Sequence, residues 1–176
     1  SDDHKDFNYL NLPLRKKQNL RYGENSHQQA EWFQNPLALK SLASAEIIQG
    51  KELSYNNLLD LDAASGLVAQ FSEPACVAVK HNNPCGAAMA DSIFLAAQKA
   101  VESDSQSVFG GILAFNKTVD QPTADFLSSI FLECVIAPDY TAEALDVFSK
   151  KKNLRILKWP DLKKATKSLQ FKSIQG

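Results

Sequence analysis

The sequence predicts an α/β fold, layered, with a largely parallel or mixed sheet flanked by helices. Three observations carry that reading. From residue 46 onward, five short apolar runs alternate with four amphipathic stretches, the rhythm of strands joined by helices. The runs are rich in Val, Ile, Leu and Ala, as expected of strands covered on both faces. The 176 residues, 44% hydrophobic and 22% charged, suffice for one ordinary core.

The elements follow in order. "AEIIQ" reads as a strand, and "NNLLDLDAASGLVAQF" as a helix capped by Asn56 or Asn57, with Leu58, Leu61, Leu67 and Val68 roughly on one face. "ACVAVK" is a strand, and "DSIFLAAQKAVES" a helix capped by Asp91. After the strand "GILAF", the helix "DQPTADFLSSIF" takes Asp120 as cap and Pro122 in its first turn, where a missing N–H costs little. "ECVIA" is a strand ended by Pro138, "TAEALDVFSKKK" a helix with lysines in its last turn, and "LRILK" a strand again. Residues 1–45 fit this rhythm less well and read as loop-rich. A last strand is predicted at "LQFKSI", after which the sequence stops without a closing element.

The formal net charge of −1 argues against a general nucleic-acid binder, while leaving room for a small anionic ligand. No apolar run is long enough to span a bilayer, and the polar start does not resemble a secretory leader. Cys76, Cys85 and Cys134 are an odd set without disulfide-scaffold spacing, which favours a reducing, cytoplasmic setting. Neither nucleic acid nor membrane is an expected partner.

Five stretches could carry chemistry. "KHNNPCG" follows the strand "ACVAV", and ligands of such sheets tend to sit beyond carboxyl ends of strands. Asn-Asn-Pro-Cys-Gly is turn material that would let Lys80 and His81 leave the strand and face one site. The neighbouring lysine would favour a neutral His81, available as a base. On composition alone, the favoured reading is the plainer one, in which Lys80 ends a strand and His81 caps a loop. In "NLRYGENSHQQAEWF", Arg21 and Tyr22 suit a phosphate, or the segment is a polar surface loop pinned by Trp32 and Phe33. Ser54, Tyr55, Asn56 and Asn57 stand at a strand-to-helix junction, where amides could face an anion or asparagine simply caps the helix. Phe109, Gly110 and Gly111 would let backbone approach a flat ligand, or form a tight turn. Glu133 could bond a ligand amide or lie at an exposed strand edge, since burial without a partner is costly.

Taken in order, "LRYGENSHQ", "GKELSYNNLLDLDAA", "EPACVAVKHNNPCGAA", "VFGGILAFN" and "VIAPDYTAEAL" closely resemble the AICAR transformylase family, the formyltransferase part of a bifunctional purine biosynthesis protein. The resemblance spans roughly Leu20 to Leu157. It implies transfer of a formyl group from 10-formyltetrahydrofolate, the co-substrate, to the 5-amino group of 5-aminoimidazole-4-carboxamide ribonucleotide (AICAR), with no metal required. It further implies a cytidine-deaminase-like fold and a homodimer with sites at the subunit interface. By the resemblance, Lys80 and His81 are the catalytic pair, with His81 as general base and Lys80 stabilising the oxyanion or leaving group. Arg21 and Tyr22 would hold the phosphate, and Ser54 to Asn57, Gly110, Gly111 and Glu133 would line the nucleotide site.

Two features depart from the family pattern. Ser26 stands where its loop has proline. The resemblance implies that the cyclohydrolase domain and the second transformylase subdomain lie outside these 176 residues, so 1–45 is expected to be a segment carrying the Arg/Tyr loop and 46–176 a first subdomain truncated at its C-terminal end. Alone, the chain is then expected to turn over little or not at all. The alternatives are a non-catalytic nucleotide-binding module and a zinc nucleoside deaminase. The second is disfavoured because His81-Asn82-Asn83 is not H-x-E and no cysteine stands at position 88.

Overall fold

A computed structural model describes residues 11–164. A small antiparallel pair, β1 (Arg15–Asn19) and β2 (Glu31–Gln34), lies within the segment read as loop-rich. The main sheet comprises β3 (Glu46–Gln49), β4 (Ala75–Lys80), β5 (Asn83–Met89), β6 (Ile112–Phe115), β7 (Cys134–Ala137) and β8 (Arg155–Lys158). Their order is β3-β8-β7-β6-β4-β5. Only β6, β7 and β8 run parallel, and every other pairing is antiparallel. The sheet is therefore mixed, the second of the two forms expected from the sequence. The physical reason is β5, a strand that the turn-like composition of Asn83 to Gly86 conceals.

β5 forms a hairpin with β4 and occupies the sheet edge, where Pro84 costs no ladder bond. Pairing steps from Ala78↔Gly86 to Val79↔Pro84, so Cys85 is an extra bulged residue. A Cβ on Gly86 would lie 2.0 Å from the Ala100 carbonyl oxygen, so only glycine lets the overlying helix come this close.

Helices cover both faces. α1 (Tyr55–Val68) packs Leu61, Ala64 and Val68 against Val77, Val79, Ile112, Ala114 and Ile136. On the other face are α2 (Ile93–Ser103), α3 (Ser105–Val108), α4 (Gln121–Ser128) and α5 (Ala142–Ser149), over Ala78, Leu113, Phe115, Val135 and Ile156. β4, β6 and β7 are buried almost throughout because both faces are covered.

The caps refine the helix starts. Asp120 caps α4 with Pro122 in the first turn, as read from the sequence. α1 is capped by Ser54, not Asn56 or Asn57, and Asn57 completes a capping box. α2 is capped by Ser92, not Asp91. Lys150 is the C-cap of α5, so the lysine run lies past the helix and not in its last turn. The strand expected at "LQFKSI" falls outside the described residues. Among the described residues, no helix is long and apolar enough to cross a membrane.

Candidate functional site

One end of the sheet gathers the residues singled out above. Lys80 ends β4, and β4 and β6 are antiparallel, so Lys80 lies where β6 begins, beside Gly111. Glu133 immediately precedes β7, and Arg155 opens β8 at the same level. β3 and β4 finish at this end, whereas the parallel strands β6, β7 and β8 start here. The expected position beyond carboxyl ends therefore holds for β4 but not for the parallel strands.

At the hairpin corner the chain leaves β4 in two residues. His81 and Asn82 both have positive φ, 53° and 60°, as the tight turn between Lys80 and its partner Asn83 requires. Left-handed backbone costs a non-glycine residue about 1–2 kcal/mol, so the corner needs outside support. The Asn82 N–H donates to Oδ1 of Asp60 at 2.5 Å, and the Asn83 side-chain amide donates to the His81 carbonyl at 2.9 Å. His81 is exposed. Lys80 Nζ donates to the Phe109 carbonyl at 2.7 Å, which brings Lys80 to the Phe109-Gly110-Gly111 turn. There Gly110 takes φ of +74°, and a Cβ on Gly111 would press within 3.0 Å of the Val79 and Val108 carbonyls. The Phe109 ring is 58% exposed and packs at 5.2 Å on Phe131, beside a cavity of about 590 Å³.

Glu133 is neither free nor merely at an edge. Its Oε2 accepts from Arg155 at 2.7 Å. Arg155 is buried, and its Nε also donates to the Lys51 and Glu52 carbonyls. Arg155 thereby ties the loop leading into α1 to the start of β7.

The Arg21–Tyr22 loop and the Ser54–Asn57 junction prove to be one place. The Arg21 N–H donates to the Leu53 carbonyl, the Tyr55 N–H to the Tyr22 carbonyl, and the Asn56 side chain to the Glu24 carbonyl. The Arg21 guanidinium lies 5.4 Å from the centre of the Tyr22 ring, within cation–π range. Ser54 and Asn57 are buried and bonded to each other's backbone in the capping box. Tyr55 and Asn56 are the exposed members of the junction. A cavity of about 450 Å³ opens here between Gly23, Gln28, Ala30 and Tyr55.

Burial, and then the Asp104 carboxylate, push the Cys85 thiol up, and burial raises Cys76 and Cys134 as well. No cysteine is poised as a thiolate nucleophile. Among the described residues, no group of three or more His, Cys, Asp or Glu side chains is placed to hold a metal.

Sequence reasoning missed Asp60 and Arg155. Each carried a signal: Asp60 is a carboxylate on the buried stripe of α1 with Asn57, Leu61 and Ala64, and Arg155 is a cation inside an apolar strand. Such residues need partners.

The chain was compared with known proteins. The family described as "AICARFT/IMPCHase bienzyme" matches residues 1–176. The bifunctional purine biosynthesis protein PurH of Caldicellulosiruptor saccharolyticus is 52% identical over 171 residues, covering 96% of this chain and 33% of that protein. The Bacillus subtilis PurH is 51% identical over 166 residues, 94% of this chain and 32% of that one. The chain spans about a third of the length of these curated relatives. Likeness to solved structures is distant: the dCMP deaminase of cyanophage S-TIM5 aligns at a TM-score of 0.40 and 13% identity, over 51% of this chain and 88% of that one. The match over all 176 residues and the identity near one half place this chain in the AICARFT/IMPCHase bienzyme family.

Proposed function

We propose that this chain supplies the catalytic pair and the nucleotide half-site of an AICAR formyltransferase acting in purine biosynthesis, with 10-formyltetrahydrofolate as formyl donor. The observation that carries the reading is the junction of Lys80, His81 and the Phe109-Gly110-Gly111 turn at the sheet end where α1 starts under the Arg21 loop.

The AICAR amine is conjugated with its ring and carboxamide and is a weak nucleophile. As its nitrogen attacks the formyl carbon, the His81 imidazole takes a proton from it. The carbonyl electrons move to oxygen, and the Lys80 ammonium stabilises that oxyanion. The carbon–nitrogen bond to the folate then breaks, and the departing nitrogen takes up a proton, with Lys80 or His81 within the same corner to deliver it. The products are formyl-AICAR and tetrahydrofolate. Proton transfer of this kind contributes about 10²–10⁴-fold, and holding two substrates together supplies much of the remainder. Arg21 and Tyr22, with the exposed Tyr55 and Asn56, would receive the phosphate end. Gly110 and Gly111 would admit the flat base, and Glu133, held by Arg155, would face its polar edge. The rest of the folate site and the homodimeric arrangement belong to the longer protein.

The test is calorimetric binding of AICAR to the full-length protein and to its Arg21→Ala variant. The reading expects binding weakened at least tenfold in the variant, since a guanidinium–phosphate contact is lost. Unchanged affinity would remove the Arg21 loop from the nucleotide site.

A further inference from the structure

The hairpin corner raises a question that the catalytic pair does not answer: what keeps His81 in place? Its backbone is left-handed, as is that of Asn82. Neither is the glycine that this turn prefers at its second central position. Histidine side chains at such a corner would sample many positions if the turn relaxed. One side chain outside the hairpin is bonded to the turn backbone: Asp60, in the second turn of α1, accepts the Asn82 N–H. Asp60 is itself buried, with 9% of its surface accessible. On the buried face of α1 it stands with Leu61, Ala64 and Val68 and with the uncharged polar Asn57 and Ser65, so it is the one charged group there. A carboxylate there costs desolvation unless it is bonded, and its bond goes to the corner.

The same helix begins at the other half of the site. Tyr55 N–H holds the Tyr22 carbonyl, and the Asn56 side chain holds that of Glu24. Tyr55 and Asp60 are five positions apart on one continuous helix, roughly 7.5 Å along its axis at 1.5 Å per residue. The Arg21 loop, α1 and the His81 corner are thus joined by hydrogen bonds into one unit, with the helix as the spacer.

We infer that Asp60 is a positioning residue: from α1 its carboxylate fixes the His81–Asn82 corner, so that α1 sets the distance between the phosphate-holding loop and the proton-accepting imidazole. The inference rests on the proposed function. In that setting, the helix spaces the two groups that a nucleotide's phosphate and reacting amine, at opposite ends of the molecule, would each have to meet.

The experiment compares Asp60→Ala, Asp60→Asn and the double variant Asp60→Ala/Asn82→Gly in the full-length protein, by formyl-transfer kinetics and AICAR calorimetry. Asparagine keeps an acceptor oxygen, whereas alanine removes it. Glycine at position 82 adopts the left-handed corner without support. The expected result is a kcat lowered about 10- to 100-fold in Asp60→Ala, with AICAR affinity changed less than threefold. Asp60→Asn should stay within fivefold of the parent, and the double variant should recover at least fivefold over Asp60→Ala. Should Asp60→Ala not fold, Asp60→Asn and Asp60→Asn/Asn82→Gly decide. An Asparagine variant as impaired as a loss of the base, and not improved by glycine at 82, overturns the inference, as does an Asp60→Ala enzyme with parental kcat. A His81→Ala control separates the two claims. If His81→Ala is fully active, the proposed function fails. If it is inactive while Asp60→Ala is normal, only the role of Asp60 fails.

Discussion

The two ends of the central sheet are both polar, yet they are built for different purposes. At the end opposite the site, polar side chains close on backbone. Asn116 is buried, accepts the Ala75 N–H and donates to the Phe71 and Glu73 carbonyls. The Tyr140 hydroxyl reaches the Val135 and Leu157 carbonyls, and burial raises it far above a usual phenol. At the site end Asp60 holds the His81–Asn82 corner, Arg155 the loop into α1 and Lys80 the Phe109 turn, and these segments present exposed side chains: His81, Tyr55 and Phe109. All four positive-φ residues of the described chain, Gly50, His81, Asn82 and Gly110, are at this end. Of these, only His81 and Asn82 carry backbone strain, since glycine adopts positive φ freely, and strain where a reactive side chain stands is a recurring property of functional sites. The far end shows the polar groups a sheet end needs for closure alone, and the difference between the ends marks what is left for a ligand.

The comparison can be broken by exchanging the expected losses. Arg155→Leu strips the partner from Glu133 and from two loop carbonyls. Only Arg155 is buried and the Glu133 side chain is 38% exposed, so water takes over part of the lost partnership and the cost falls to about 2 kcal/mol. Because the Arg155 bonds join the α1 entry loop to β7, AICAR binding should weaken too. Urea unfolding and calorimetry on the same protein check both. Asn116→Ala leaves an N–H and two carbonyls without their partner, and should cost about 2 kcal/mol with formyl transfer unchanged. A drop in turnover there would erase the distinction between the ends.

The smallest effect sharpens the comparison at the surface. The Lys158 ammonium, followed by the Tyr140 N–H, holds the Asp139 carboxyl below its ordinary range. A depressed carboxyl contributes stability above the unfolded value of about 3.9 and loses it as pH falls through the folded value. Since Asp139 is half exposed, screening keeps the contribution slight. Asp139→Asn should therefore change the melting temperature little at pH 7 and flatten its fall in acid below about pH 4, as read by melting curves across that range.

Much of this arrangement is legible in the sequence where the cause is local. The runs Ile112–Phe115, Cys134–Ala137 and Arg155–Lys158 declare themselves as buried strands because both their faces meet apolar layers. Asp120 and Pro122 mark a helix start by chemistry that acts within one turn. β5 is not legible, because Asn-Pro-Cys-Gly has the composition of a turn and becomes a strand only through pairing with β4 and cover from α2. The partnership of Arg21 with the α1 start, and of Asp60 with Asn82, joins segments 22 or more residues apart. No spacing rule reaches that far. The pattern of motifs names the residues, and the fold decides which of them meet.

The most direct measurement is formyl transfer from 10-formyltetrahydrofolate to AICAR by the full-length protein carrying His81→Ala, with AICAR binding measured on the same sample. The account predicts kcat lower by about 10²–10⁴-fold and AICAR affinity within threefold of the parent. Parental turnover in that variant would contradict it, and would leave the exposed histidine at the hairpin corner as a turn residue only.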